Sequence, residues 1–167
     1  RSTPKPSSAA SDVYKRQSLM SEITYKSPGN IEEFKEYDLF RWNILRKPLG
    51  KDISSLKDEY DRSAFHLVGI KNKKIIACGR LHFNTTDEAQ IRYMAVSEEL
   101  QGNGIGKQIL KLLENNAIKN NAKKIVLNAR DHAIDFYRTL GYKAVEKYNG
   151  SDTGIPHTTM EKINLSS

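Results

Sequence analysis

The sequence predicts an α/β (α+β) domain: a mixed, mostly antiparallel sheet of about six or seven strands with a central parallel pair, flanked by helices. Three observations carry this. Three strand-like runs follow one another between Ala64 and Val96 with only turn-like segments between them. A helix-period run then separates two further strand-like runs, which demands a crossover and so one parallel pair. The length, 167 residues, suits one domain with a substantial core and is short for two.

Taken in order, Glu22–Lys26 alternates as a short first strand. Asn30 can cap a helix, with Glu33 three residues on as a capping-box partner, and Ile31, Phe34, Tyr37 or Leu39, and Leu45 supply its apolar stripe. Pro48 and Gly50 end it, and the polar stretch 51–63 reads as a loop or short helix. Strands Ala64–Ile70 and Lys74–Phe83 flank the hairpin turn "KNKK", and Ala89–Val96 makes a third. Ile105, Ile109, Leu112, Leu113 and Ala117 mark one face of a helix, followed by a buried strand, Lys123–Ala129. Ala133, Phe136, Tyr137 and Leu140 mark a second such face, closed by Gly141 as a C-terminal cap. "YKAVEKY" and "HTTMEKIN" complete the sheet.

Residues 1–19 stand apart. They are Ser/Pro/Ala-rich, lack periodicity, precede Met20 and read as a leader foreign to the fold, adaptor-like and without order. The single domain is then 20–167. Of the net charge of +7, the leader supplies +3, so the remainder is only mildly basic. That balance, with no aromatic-basic motif, argues against a nucleic-acid partner despite a pI near 9.4. No run approaches the roughly 20 apolar residues of a membrane span, and no secretory signal is visible, so the expected location is cytoplasmic. Cys78 is the one cysteine and sits in an apolar run, as a buried thiol would. The four histidines show no metal-ligand spacing, and no metal is expected.

The chemistry lies in "SEELQGNGIGKQIL" (97–110), where Gly102, Gly104 and Gly106 separate a strand from a helix. A P-loop fails twice: Gln108 follows Gly106-Lys107, and Gln101 stands where its first glycine should be. A dinucleotide fingerprint fails because Lys107 and Ile109 occupy its last glycine position in the two registers. What remains is Gln101-x-x-Gly104-x-Gly106 opening a helix, whose free N–H groups and dipole bind anions. Lys107 and Lys111 add charge nearby.

The segment "MAVSEELQGNGIGKQIL" resembles the acetyl-CoA-binding segment of the GCN5-related N-acetyltransferases, the GNAT superfamily. "NARDHAIDFYRTLGYKAV" is similar to that family's last helix and following strand, and "GIPHTTM" resembles the C-terminal strand of a small bacterial branch. The likeness runs from about Glu22 to Asn164. It implies an N-acetyltransferase that moves an acetyl group from acetyl-CoA to a primary amine of a small molecule or protein, by direct transfer in a ternary complex. It further implies that the diphosphate lies on Gln101, Gly102, Asn103, Gly104, Ile105, Gly106 and Lys107. The parallel pair would be splayed, and the cofactor arm would add like a strand beside Met94, Ala95 and Val96.

By the same resemblance Tyr137 is the general acid to the departing thiolate, although its place on an apolar stripe equally suits a core residue. Asn128 matches a position that bonds the cofactor arm, or is a satisfied strand-end amide. No Asp or Glu occupies Ala89–Val96, where the family often keeps a base; Arg92 stands there, and arginine cannot accept a proton. His82 and His157 are left as candidates for the base, each also readable as a strand-end or turn residue, and together with Arg92 they are the candidate acceptor-site residues. Asp58, Glu59 and Asp61 either attract a cationic amine or form a solvated loop. The expected partners are acetyl-CoA and an amine, with no membrane; a homodimer fits the family. A noncatalytic module that senses acyl-CoA is the alternative function.

Overall fold

The computed structural model describes residues 8–149 and 153–165. Its strands are β1 (Thr24–Lys26), β2 (Phe65–Lys71), β3 (Lys74–Phe83), β4 (Glu88–Val96), β5 (Lys124–Arg130), β6 (Lys143–Tyr148) and β7 (His157–Lys162). Helices are α1 (Ser8–Ser21), α2 (Ile31–Leu45), α3 (Ile105–Lys119) and α4 (Ile134–Thr139). The strands form one sheet in the order β1-β2-β3-β4-β5-β7-β6. β4 and β5, joined through α3, are the parallel pair; the other neighbours are antiparallel. The expected fold class is what the chain adopts.

Local chemistry explains the element ends. Asn30 Oδ1 accepts from the Glu33 amide at the start of α2, while Glu33 reaches back to the Gly29 amide rather than to Asn30. Asn72 and Lys73 both take positive φ, the two-residue turn whose twist matches a hairpin. Gly141, at φ +97°, ends α4, with the Tyr142 amide returning to the Tyr137 carbonyl.

The sheet has two apolar faces. On one, Ala89 and Ile91 of β4, Ile125, Leu127 and Ala129 of β5 and Met160 of β7 pack under Ile105, Ile109 and Leu113 of α3. On the other, Val68, Cys78 and Ala95 pack under Tyr37, Phe40 and Ile44 of α2. The expected α2 stripe needs correction here. Ile31 is 76% and Leu39 49% exposed, whereas Arg41 is fully buried, held by Asp38 and Asp61. Paired ions, which a hydropathy pattern places outside, occupy a core position of this helix.

The segment set apart by composition is helical from Ser8 rather than irregular; its first seven residues lie outside the described ones. Ala9, Ala10, Lys15, Arg16 and Gln17 are strong local helix formers. None of α1 is buried, and Leu19 and Met20 are the apolar side chains that reach the core. At the opposite border, all six residues of β6 are exposed, and a bulge interrupts its pairing with β7 between Ala144 and Glu146.

Two features position the site. A bulge on β4 places both Arg92 and Tyr93 on the α2 face, with Tyr93 at φ +57°. Before it, Ala89 and Ile91 face α3; after it, Met94 and Val96 do. The Cys78 thiol donates to the Tyr93 carbonyl and braces the bulge from β3. Secondly, β4 and β5 pair only over Glu88–Gln90 and Lys124–Val126, and diverge beyond.

Gly79 lets α3 press against β3 beside the bulge: a Cβ there would lie 2.8 Å from both Ile109 Cγ2 and Leu113 Cδ1. Gly79→Ala is therefore expected to cost about 1–3 kcal/mol through overpacking, read as a lower urea midpoint at unchanged m-value.

Candidate functional site

The glycine turn forms as its spacing demands. Gly102 and Gly104 take φ +82° and +87°, and nothing lies within 4 Å of an added Cβ at either, so backbone conformation is what requires glycine there. Gly104 caps α3 without a side-chain hydrogen bond, and the first helical bond runs from the Gln108 amide to the Gly104 carbonyl. The amides of Ile105, Gly106 and Lys107 are consequently the orphan donors of the first turn. Ile105 anchors the turn by its buried side chain, and Lys107 is exposed beside it. Asn103 donates to the Leu100 and Gln101 carbonyls and so braces the turn.

The splayed part of β4 ends at this turn. The Ser97 amide donates to the Ile76 carbonyl, so Val96, opposite Ala77, turns its own N–H and C=O away from β3 into the gap. The Val96 carbonyl accepts from Gln101 Nε2 at 3.2 Å, which ties strand end to turn. Alternation gives Met94 the same outward orientation and turns the peptide groups of Ala95 to β3, its methyl packed under α2.

Tyr137, from α4, crosses to β4: its hydroxyl donates to Met94 Sδ at 3.7 Å. Its ring lies edge-on to Phe136 and Tyr142. Burial pushes its pKa up to about 12. Tyr137 is thus both a packed residue and a protonated donor at the gap. Asn128, on β5, accepts from Thr159 Oγ1 through Oδ1, which leaves its NH2 group as the remaining donor.

The α2 face of the sheet carries a chain of ions. Arg92 donates to Asp58; Asp58 receives both terminal nitrogens of the fully buried Arg80 at 2.8 Å; Arg80 also meets Asp61. Asp61 continues to Arg41, and Arg41 to Asp38. Burial alone would raise the Asp58 carboxyl, but the hydrogen bond and charge of Arg80, with the Tyr60 amide and Arg92, outweigh it and hold it below the ordinary carboxylate range. Asp58 and Asp61 are therefore counterions of buried arginines rather than free acids on a solvated loop. Four guanidiniums, of Arg41, Arg46, Arg80 and Arg92, lie 4.7–5.5 Å from the centre of the Tyr93 ring.

The two candidate histidines differ. His82 Nδ1 accepts from Arg80, and its Nε2 donates to Asn84 Oδ1, whose NH2 group is fixed by Glu88 and Gln90. Burial, then the Arg80 charge, lowers its pKa, and its ring stacks on Tyr60. With both nitrogens committed, His82 has no lone pair for an amine. His157 donates from Nδ1 to the Ile155 carbonyl and keeps Nε2 as its remaining ring nitrogen. It pairs with Arg130 at the open end of β5, on the same face as Asn128 and Thr159.

Sequence reasoning missed Arg41, Arg80 and Tyr93. The available signal was an arginine inside the apolar run "KIIACGRLHF" together with two aspartates three apart, a combination that asks for a buried pair. Among the described residues, no group of three or more His, Cys, Asp or Glu could hold a metal ion, and no helix is long and apolar enough to cross a membrane.

Residues 32–164 match the family profile described as the Acetyltransferase (GNAT) domain. The uncharacterized N-acetyltransferase YjcF of Bacillus subtilis strain 168 is 27% identical over 133 residues, covering 80% of this chain and 94% of its own length. Among solved structures, Escherichia coli ElaA superposes with a TM-score of 0.65 at 21% identity, covering 84% of this chain and 99% of that one. An aminoglycoside 6'-N-acetyltransferase complexed with coenzyme A superposes with a TM-score of 0.70 at 13% identity, covering 87% and 97%.

Removing Asp58 strands two guanidiniums, one fully buried. Asp58→Ala is expected to cost roughly 3 kcal/mol, measured by urea unfolding. Because its folded pKa is depressed, the Asp58 contribution is complete above the unfolded value near 3.9 and is lost as pH falls through the folded one. The gap between wild type and Asp58→Ala should therefore narrow below about pH 4.

Proposed function

The chain belongs to the acetyltransferase (GNAT) domain family, and we propose that it transfers the acetyl group of acetyl-CoA directly to a primary amine within a ternary complex. The observation that carries this reading is the coincidence of three features at one gap. β4 stops pairing after Gln90, its last peptide groups face the opening, and a helix start with three orphan amides stands at its end. An anionic diphosphate suits the amides of Ile105, Gly106 and Lys107, with the Lys107 side chain adding charge. A peptide-like arm suits Met94 and Val96 by strand addition, with Asn128 as a side-chain donor from β5. Gly106, inside the helix, has ordinary room for a Cβ, 3.8 Å from Val96 and 3.9 Å from Phe136; the space left open there suits a ligand rather than a strained turn.

In the transfer, the amine nitrogen attacks the thioester carbon and a C–N bond forms. The C–S bond then breaks, and the electron pair leaves on sulfur. The Tyr137 hydroxyl, kept protonated by burial, donates its proton to that sulfur and recovers one from the ammonium by way of solvent. Neither Arg92 nor His82 can accept the amine proton; of the candidates only His157 keeps a ring nitrogen, Nε2, open for it, and the amine attacks from its neutral fraction. The rate should accordingly rise with pH as more amine is deprotonated, with no falling limb from Tyr137 below about pH 11.

Tyr137→Phe should lower kcat by roughly 10²–10⁴ while calorimetry finds acetyl-CoA affinity unchanged. Equal turnover in the variant would favour a role in packing, and no turnover in either protein would favour an acyl-CoA sensor. Gly104→Glu places a carboxylate and a strained left-handed residue among the anion-binding amides, and Gly106→Glu puts a carboxylate at the mouth of the gap. Both should lose most acetyl-CoA affinity in calorimetry, and unchanged affinity in both would remove the turn from the site.

A further inference from the structure

The acceptor side of the gap carries fixed positive charge where the amine must arrive. The Arg92 side chain is 36% exposed. Its Nη1 is bound to Asp58, and Nε and Nη2, the adjacent pair on one edge of the fork, have no protein acceptor among the described residues. Asp58 has little left to offer, because its two oxygens already take both Arg80 nitrogens, the Tyr60 amide and Arg92. Donors outnumber acceptors deeper in as well: Arg41 Nη1 and Arg80 Nε are buried without a partner among the described residues.

Across the opening stands a further guanidinium. Arg130 on β5 lies on the face of Arg92, since Ile125, Leu127 and Ala129 take the other face, and His157 stands opposite it on β7. Among the described residues, the carboxylates on the strands of this face and on the loop before β2 lie elsewhere. Asp38, Asp58 and Asp61 are bound to arginines. Glu88 is bound to Asn84 and Lys124 at the closed end, where Glu161 also pairs beside Val126. Glu146 is on β6, beyond β7, and Glu59 is exposed on the loop before β2.

We propose that the acceptor carries an anionic group beside its amine, and that the free edge of the Arg92 guanidinium binds this group while the amine enters the gap between β4 and β5. The inference rests on the transferase reading and names its substrate class: small amines bearing a carboxylate or a phosphate. Two adjacent N–H groups on one planar edge match two oxygens of such an anion. Polyamines, aminoglycosides and lysine-rich tails meet like charge and are rejected. The same charge disfavours the ammonium form of the bound amine, and so frees the nucleophile on a strand that lacks a base.

The test is a thiol-release assay with acetyl-CoA on the full chain, using matched acceptors. β-Alanine is set against propylamine, phosphoethanolamine against ethanolamine, and spermidine stands for polycations. The anionic member of at least one pair should show kcat/KM at least tenfold higher than its neutral partner, and spermidine should be the poorest. Arg92→Gln should abolish that preference through acceptor KM, with acetyl-CoA affinity unchanged in calorimetry, and Arg92→Lys should restore it in part. Preference for β-alanine identifies a carboxylate and preference for phosphoethanolamine a phosphate; either supports the proposal. Equal use of charged and neutral partners, best turnover with spermidine, no turnover of any anionic amine, or an unchanged preference in Arg92→Gln overturns it. If wild type fails to bind acetyl-CoA at all, the transferase reading falls first; if it binds but prefers cations, only the acceptor class falls.

Discussion

The interruption of the β4–β5 ladder is the constraint on which the rest depends. A parallel pair in the middle of a sheet is ordinarily bonded along its length, because unpaired peptide groups away from water are costly. Here the pair lasts three residues and then opens. The opening is held by a bulge whose extra residue, Tyr93, sits in a left-handed conformation that a bulky side chain seldom adopts. The molecule supports that conformation from several sides: the Cys78 thiol bonds the Tyr93 carbonyl, guanidiniums surround its ring, and Gly79 lets α3 close over the far face. A locally unfavourable backbone thereby becomes a fixed slot.

The ions on the α2 face belong to the same construction. Buried ion pairs are weak evidence for stability, since desolvation offsets much of their attraction. What they do here is geometric. Asp58 and Asp61 pin the loop before β2 onto β3 and β4, so one wall of the gap is a charged scaffold instead of an apolar one. The burial of Arg41 also explains why α2 shows so little apolar periodicity: one of its core positions is an arginine.

Much of this was legible in the residues, and the rest failed for definable reasons. The three-strand succession, the "KNKK" turn, the Asn30 cap, the Gly141 cap and the strand–turn–helix around Gly104 are local signals, and each is where its chemistry put it. Tyr137 was visible as a residue of two characters; the structure shows its packing and its hydroxyl beside Met94, and its part as an acid belongs to the proposal. The strand order, with β7 between β5 and β6, is a long-range choice without a local signature. The α2 stripe misled because Ile31 and Leu39 look like core by hydropathy, while Arg41 looks like surface until its aspartates, one of them twenty residues away, are in place. His82 illustrates the same limit: its residue type suits proton transfer, yet partners that no spacing rule brings together occupy both nitrogens.

The two borders of the sheet differ in how they meet solvent. β1 has three residues, too few to template a neighbour. β6 is longer and fully exposed, but Lys143 and Lys147 stud it and the kink at Ala144–Glu146 breaks its straight line of donors and acceptors. An incoming strand would meet charge and mismatched spacing, so the ladder ends within the molecule and resists fibrillar growth.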